Sequence, residues 1–253
     1  MAKNSLKNKR IVLTRKENEP LAGELRSLGA DVVELPLIDI KLEADPEISD
    51  DVLSNIATYQ WAVFSSANGV RGFFREFFKK FKDIRCLGPC RIAAVGKKTA
   101  EELERFHIQS DVVPETATAE AMAKAMIEFE TLENLMILNV SGNLQDDTVT
   151  KILQDDGRAI VDTFPVYKTT VVDVDPKSPA AESFTKNGAD AIFFASPSAV
   201  QSFVKNVKTL SLKDGATHPK AYSIGPKTSE EMKKLGITVA GEAKSPDKII
   251  ELF

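Results

Sequence analysis

The residues with the most chemistry to offer sit in turns that occur twice. Phe64-Ser65-Ser66-Ala67-Asn68-Gly69-Val70 returns about 130 residues later as Phe194-Ala195-Ser196-Pro197-Ser198-Ala199-Val200, and Ala94-Val95-Gly96-Lys97-Lys98-Thr99 returns as Ser223-Ile224-Gly225-Pro226-Lys227-Thr228. Proline is favoured at the first helical position and Ser or Gly just before it, so Ser196-Pro197, Gly225-Pro226 and Ser245-Pro246 each read as a cap and a helix start. By the offset, Ser66, Gly96 and Thr118 are the equivalent caps in the first copy. A helix start exposes unpaired N–H groups and the positive end of a dipole, which suit a carboxylate or a phosphate. Ser65, Ser66, Asn68, Gly96, Lys97, Lys98 and Thr99 in one half, and Ser196, Ser198, Gly225, Lys227 and Thr228 in the other, are therefore anion-binding candidates. Each of them also has a plainer reading, because every helix needs a cap. The repetition of one chemistry in both halves favours two facing rows that clasp a ligand with several negative groups.

Such turns need strands that end where helices begin. β-rich runs at 10–14, 31–35, 61–65, 91–95, 135–140, 159–164, 191–195 and 220–224 alternate with helical patterns at 20–27, 67–80, 98–105, 146–154, 197–205 and 227–235. This alternation predicts an α/β fold with parallel sheets covered by helices, in which ligands bind at the C-terminal ends of the strands. The opening units of the copies match as well: Leu28-Gly29-Ala30-Asp31-Val32 through Pro36 parallels Asp156-Gly157-Arg158-Ala159-Ile160 through Pro165.

Composition removes several classes of function. The chain has 253 residues, 43% of them hydrophobic and 28% charged, enough for two modest cores. A net charge of −4 argues against broad nucleic-acid binding, so an anionic ligand must be held by local donors. No apolar run approaches the roughly 18 residues of a membrane span, and the opening residues 1–5 lack the apolar stretch of a signal peptide, so a cytoplasmic location is expected. Cys86, Cys90, His107 and His218 do not have the spacing of a zinc site, and the thiols read as structural. Gly96-Lys97-Lys98-Thr99 lacks the earlier glycine of a P-loop, since Arg91 stands there. No dinucleotide fingerprint or nucleophile elbow is present. Phe73, Phe74, Phe77, Phe78 and Phe81 recur at helical spacing and read as core, with Lys79, Lys80 and Lys82 as a solvated face beside them, and Trp61 opens a buried strand.

Taken in order, Leu13-Thr14-Arg15, Phe64 to Val70, Ala94-Val95-Gly96 with Thr99-Ala100, Val166-Tyr167-Lys168-Thr169, Phe194 to Val200 and Ile224 to Thr228 resemble the uroporphyrinogen-III synthase family over nearly the whole chain. Two departures stand out. Lys16 occupies a place where proline is common in that family, and Val140-Ser141-Gly142 replaces a commoner Arg-Gly. The resemblance implies two similar flavodoxin-like parallel-sheet domains, 1–36 with 172–253 and 43–164, joined by antiparallel linker strands at 37–42 and 165–171. It also implies the cyclisation of hydroxymethylbilane, a carboxylate-rich linear tetrapyrrole, to uroporphyrinogen III with inversion of the last ring, loss of water, and neither metal nor organic cofactor. The substrate would be the only partner of a monomeric enzyme, with no nucleic acid or membrane involved. Tyr167 matches the family's linker tyrosine and is the candidate general acid, although a linker tyrosine can also merely pack. Arg15, Ser141 and Gly142 join the binding candidates. The competing reading is a two-lobed protein that binds an anionic metabolite without changing it, and an inactive relative that kept the fold is a third.

Overall fold

A computed structural model describes residues 6–16, 18–19, 21–144, 147–244 and 246–252. The predicted cap Ser245, the opening residues 1–5, and Pro20 and Asp146, the predicted first residues of two helices, lie outside them. The chain runs β1 Arg10–Leu13, α1 Leu21–Ser27, β2 Asp31–Glu34, β3 Ile38–Leu42, α2 Pro46–Ser54, β4 Trp61–Phe64, α3 Ala67–Lys80, β5 Arg91–Ala94, α4 Lys97–Glu104, α5 Ala119–Phe129, β6 Met136–Gly142, α6 Thr148–Asp155, β7 Ile160–Val171, α7 Pro179–Asn187, β8 Ala191–Phe194, α8 Pro197–Lys205, β9 Lys220–Ile224, α9 Pro226–Lys234 and β10 Val239–Ala243. It divides into two compact units, residues 1–39 with 170–253 and residues 40–169.

In the first unit the strand order is β10-β9-β8-β1-β2, and the pairings β1 with β2, β1 with β8, β8 with β9 and β9 with β10 are all parallel. One face is closed by Leu6, Ile11, Leu13, Ala22, Leu25, Phe193 and Ile249. The second sheet has the order β3-β7-β6-β4-β5, with β4 parallel to β5 and β6, and β6 parallel to β7.

Alternation along β4 shows how the second unit is layered. Ala62 and Phe64 join a cluster with Val70, Phe73, Phe74 and Phe77 of α3, whereas Trp61 and Val63 join one with Met122, Ala123 and Met126 of α5 and Val149 and Leu153 of α6. Successive strand side chains point to opposite faces, so this sheet is buried on both. Each fully buried Phe contributes about 1.5–3 kcal/mol of transfer free energy to that arrangement. The phenylalanine stripe is core for three of its members, but Phe78 is 43% exposed and Phe81 only half buried, because the apolar face of α3 outruns the sheet it covers. The neighbouring lysines are not simply solvated: Lys79 pairs with Glu76 and Lys80 with Asp50. Cys86 is exposed, contrary to a structural role, while burial pushes the Cys90 thiol up to about 12.

The predicted caps among the described residues are in place. Ser66, Ser196 and Thr118 accept from the N–H groups of Gly69, Ala199 and Ala121, and Gly96 and Gly225 cap α4 and α9 without a side chain. Helices α2 and α7 lie outside the helical patterns read from the sequence, yet Asp45-Pro46 and Ser178-Pro179 carry the same signature. Strand β7 runs without a break from the strand run read at 159–164 through the segment 165–171 read as a linker strand; its ladder with β6 continues to the pair Gly142 and Tyr167, and β3 flanks its other edge.

Candidate functional site

Parallel strands place the repeated turns of each unit side by side. In the second unit β4 lies between β5 and β6, so the turn holding Ser65 and Ser66 is flanked by the one at Gly96 and the one at Ser141-Gly142. The Ser66 hydroxyl accepts the Gly69 N–H at 3.0 Å, leaving the earlier N–H groups of α3 with no partner inside the helix. Asn68 accepts from Arg71 Nη1 at 3.3 Å, and Arg71 in turn pairs with the buried Glu102 of α4 at 3.0 Å. Arg105 reaches the same carboxylate at 3.4 Å, so the start of α3 is tied to the last turn of α4 by a charged cluster. Thr99 is buried and its N–H meets the Gly96 carbonyl at 3.0 Å. Lys97 is 90% exposed and lies 3.9 Å from Glu101, whereas Ser65 and Lys98 have interactions of their own.

Tyr167 joins this set through an irregularity in β7. Ser141 is opposite Pro165, but Gly142 is opposite Tyr167, so the register slips by one residue. Val166 and Tyr167 consequently both pack against the α3-side cluster, which neighbours in a regular strand do not do. The ring lies on Gly142: a Cβ there would stand 2.3 Å from its Cε2 and Cζ. The Ser66 hydroxyl donates to Tyr167 Oη at 3.2 Å. Gly69 N–H, Ser66 O–H and Tyr167 Oη therefore form a chain running from a helix start to a phenol. With Oη accepting from Ser66, the phenol's own proton points elsewhere. Ser141 is buried beside this cluster.

The first unit repeats the turns without the phenol. Ser196 accepts the Ala199 N–H at 3.3 Å and lies 3.0 Å from the Ser198 hydroxyl, which occupies the bond that Tyr167 takes up at Ser66. Gly225 donates its N–H to the Ala243 carbonyl at 2.9 Å, Thr228 is buried, and Ser223, Ser229 and Glu242 form a hydroxyl–carboxylate chain under the start of α9. Arg15 follows β1 and is exposed, its carbonyl taken by Asn18 at 2.6 Å; Arg15 and Lys227 are each engaged. Ser196→Ala is expected to cost about 1 kcal/mol of stability in a denaturant titration, the usual value of a cap. Ser66→Ala should cost the same and also slow turnover severalfold, because it removes the hydroxyl behind Tyr167.

Among the described residues no group of three or more His, Cys, Asp or Glu is arranged to hold a metal ion, and no helix is long and apolar enough to cross a membrane.

The family model described as uroporphyrinogen-III synthase HemD matches residues 19–248. The chain belongs to the uroporphyrinogen-III synthase family. The porphyrin biosynthesis protein HemD of Ruminiclostridium josui is 28% identical over 99% of this chain, which spans 50% of that protein's length. The uroporphyrinogen-III synthase of Synechococcus elongatus is 27% identical over 96% of this chain and 93% of its own. In three dimensions, a mutant uroporphyrinogen III synthase of Thermus thermophilus superposes with a TM-score of 0.64 at 16% identity, covering 96% of this chain and 95% of that one. The Helicobacter pylori uroporphyrinogen-III synthetase gives 0.60 at 17%, covering 96% and 97%. At such identities the structures speak for the α/β fold alone.

Reasoning from the sequence missed Arg71, Glu102 and Asn143 as neighbours of the family's turns. Arg71 could have been found, since it lies one helical turn beyond Asn68. Glu102 and Asn143 carry no such mark, because their partners are distant in the chain.

Proposed function

We propose that the chain is a uroporphyrinogen-III synthase, closing hydroxymethylbilane to uroporphyrinogen III with inversion of the last ring and loss of water. The observation that supports this best is the hydrogen-bonded chain from Gly69 through Ser66 to Tyr167. Tyr167 gives its proton to the terminal hydroxyl; the C–O bond breaks, the electron pair leaves with water, and a cation conjugated with the pyrrole remains. The substituted carbon of the last ring, at the other end of the chain, attacks this cationic methylene, the last pyrrole supplying the electron pair of the new bond. A spiro intermediate opens and recloses in the inverted sense, and the proton lost on rearomatisation restores the phenol. The balance of this sequence calls for no redox partner.

Because the free bilane closes spontaneously to the non-inverted isomer, the protein must control shape as well as rate. Donors for the substrate carboxylates come from the starts of α3, α4, α8 and α9, with Ser66, Asn68, Gly96, Ser196, Ser198 and Gly225 shaping them and Arg15, Lys98 and Lys227 nearby in sequence. Lys97, Thr99, Ser141, Gly142 and Thr228 complete the proposed set. The net charge of −4 does not oppose this, since such donors act over a few ångströms.

We read the architecture as two flavodoxin-like domains, 1–36 with 172–253 and 43–164. The order of the first sheet, which in its own numbering is 2-1-3-4-5, supports that reading. Segments 37–42 and 165–171 act as an antiparallel linker, a reading supported by the bonds from Glu43 N–H to the Val166 carbonyl and from Val172 N–H to the Leu37 carbonyl. We take the active species to be a cytoplasmic monomer.

Freshly made hydroxymethylbilane tests the reaction directly. The purified chain should yield isomer III faster than the spontaneous closure in a blank. Isomer I alone, at the blank rate, would leave a binding protein or an inactive relative.

A further inference from the structure

We infer that Asn143 is a positioning residue for Tyr167, a role that rests on the proton-donor reading above. The β6–β7 ladder ends at Gly142, one residue before Asn143, while β7 continues to Val171. β3 flanks the other edge of β7, but beyond that point its β6-facing edge would lack a partner. Asn143 supplies one. Its main-chain N–H donates to the Tyr167 carbonyl at 3.2 Å, its Oδ1 accepts the Thr169 N–H at 2.7 Å, and its Nδ2 donates to the Thr169 carbonyl at 3.2 Å.

The side-chain amide thus imitates a peptide group, giving one donor and one acceptor to a single residue of β7. Asp keeps only the acceptor and Ala keeps neither. The consequence falls on Tyr167 because of the register slip. The slip is what turns Tyr167 to the same face as Val166, so the place of the ring depends on the backbone being held on both sides of it. On the β6-facing edge Ser141 pairs with Pro165 before the slip and Asn143 grips Tyr167 and Thr169 after it, while on the other edge the Glu43 N–H holds the Val166 carbonyl. That grip fixes the ring on Gly142 and its Oη at Ser66. The side-chain amide of Asn143 is taken up by Thr169, so the inferred role runs through the tyrosine.

The test combines turnover with a direct view of the ring. The protein has three tyrosines, so ring-13C-tyrosine labelling gives a simple NMR spectrum in which Tyr167→Phe identifies the Tyr167 signals. Asn143→Ala should shift those signals, lower the turnover number about tenfold and leave KM within about twofold. Asn143→Asp should fall between the two. In the Tyr167→Phe background, Asn143→Ala should cause no further loss, since both changes remove the same placed hydroxyl. Unmoved Tyr167 signals, or losses that multiply in the double variant, would overturn the inference. Should Tyr167→Phe alone leave turnover intact, the proton-donor reading fails, and the ring signals in Asn143→Ala still decide whether the asparagine positions the tyrosine.

Discussion

Tyr167→Phe is expected to lower the turnover number about 10²-fold and to leave KM within about twofold, measured with fresh hydroxymethylbilane and separation of the product isomers. The fold-change is the lower end of what a placed general acid contributes. Phenylalanine keeps the ring, so packing against the α3-side cluster and over Gly142 is retained. What disappears is one partly buried hydroxyl and its bond from Ser66, worth about 1 kcal/mol of stability at most. A large kinetic loss in a protein that melts almost normally therefore belongs to chemistry. The donors proposed for the substrate carboxylates all remain in the variant, so KM is expected to stay unchanged. The slowed protein should also release more isomer I, since unconverted bilane closes by itself. Wild-type turnover in the variant would remove Tyr167 from the mechanism and reduce it to a packing residue.

How much of this is written in the sequence depends on the range of the interaction. Caps are local: Ser66, Ser196 and Thr118 each bond an N–H three residues on, and a reader of the sequence sees both partners at once. The alternation of strands and helices is legible for the same reason, and so is the repeat, because α/β units carry their turn signals at their own ends. Helices α2, α5 and α7 escape a reading by periodicity although Asp45-Pro46, Thr118 and Ser178-Pro179 announce them, because at 9, 11 and 9 residues each shows little more than two turns of its buried face.

The tie between Ser66 and Tyr167 spans about 100 residues and depends on a register slip that no local pattern records. The family resemblance points to Tyr167; only the fold shows what stands behind it. The replacement of Arg-Gly by Ser141-Gly142 is instructive in the same way. Ser141 is buried, and the residue whose identity matters there is the glycine, because the space it leaves is filled by the tyrosine ring.

That space makes Gly142→Ala the more damaging change, with an expected loss of turnover on the order of 10³-fold. The backbone at Gly142 is not left-handed, so alanine meets no conformational penalty of its own; the obstacle is the ring. A Cβ 2.3 Å from Cε2 and Cζ and 2.8 Å from Oη is far inside van der Waals contact, and the ring must leave its place. Oη then loses Ser66, which forfeits what Tyr167→Phe forfeits. The strand carrying Tyr167 moves as well, and with it the turn that Asn143 holds, which accounts for about tenfold more, since a displacement near 1 Å at a reacting group is worth up to about 10². Crowding of this kind should also cost about 1–3 kcal/mol of stability. Tyr167→Ala added to Gly142→Ala should recover most of that stability and none of the activity, a coupling that independent sites do not show. Gly69→Ala is the control: its Cβ would lie 3.3 Å from the Ser66 hydroxyl and 3.6 Å from the Val140 carbonyl, contacts that small adjustments relieve, so turnover should stay within a fewfold of wild type. Equal losses in Gly69→Ala and Gly142→Ala would show that the turns tolerate no substitution at all and that the fit between Gly142 and the tyrosine ring is not what sets the rate.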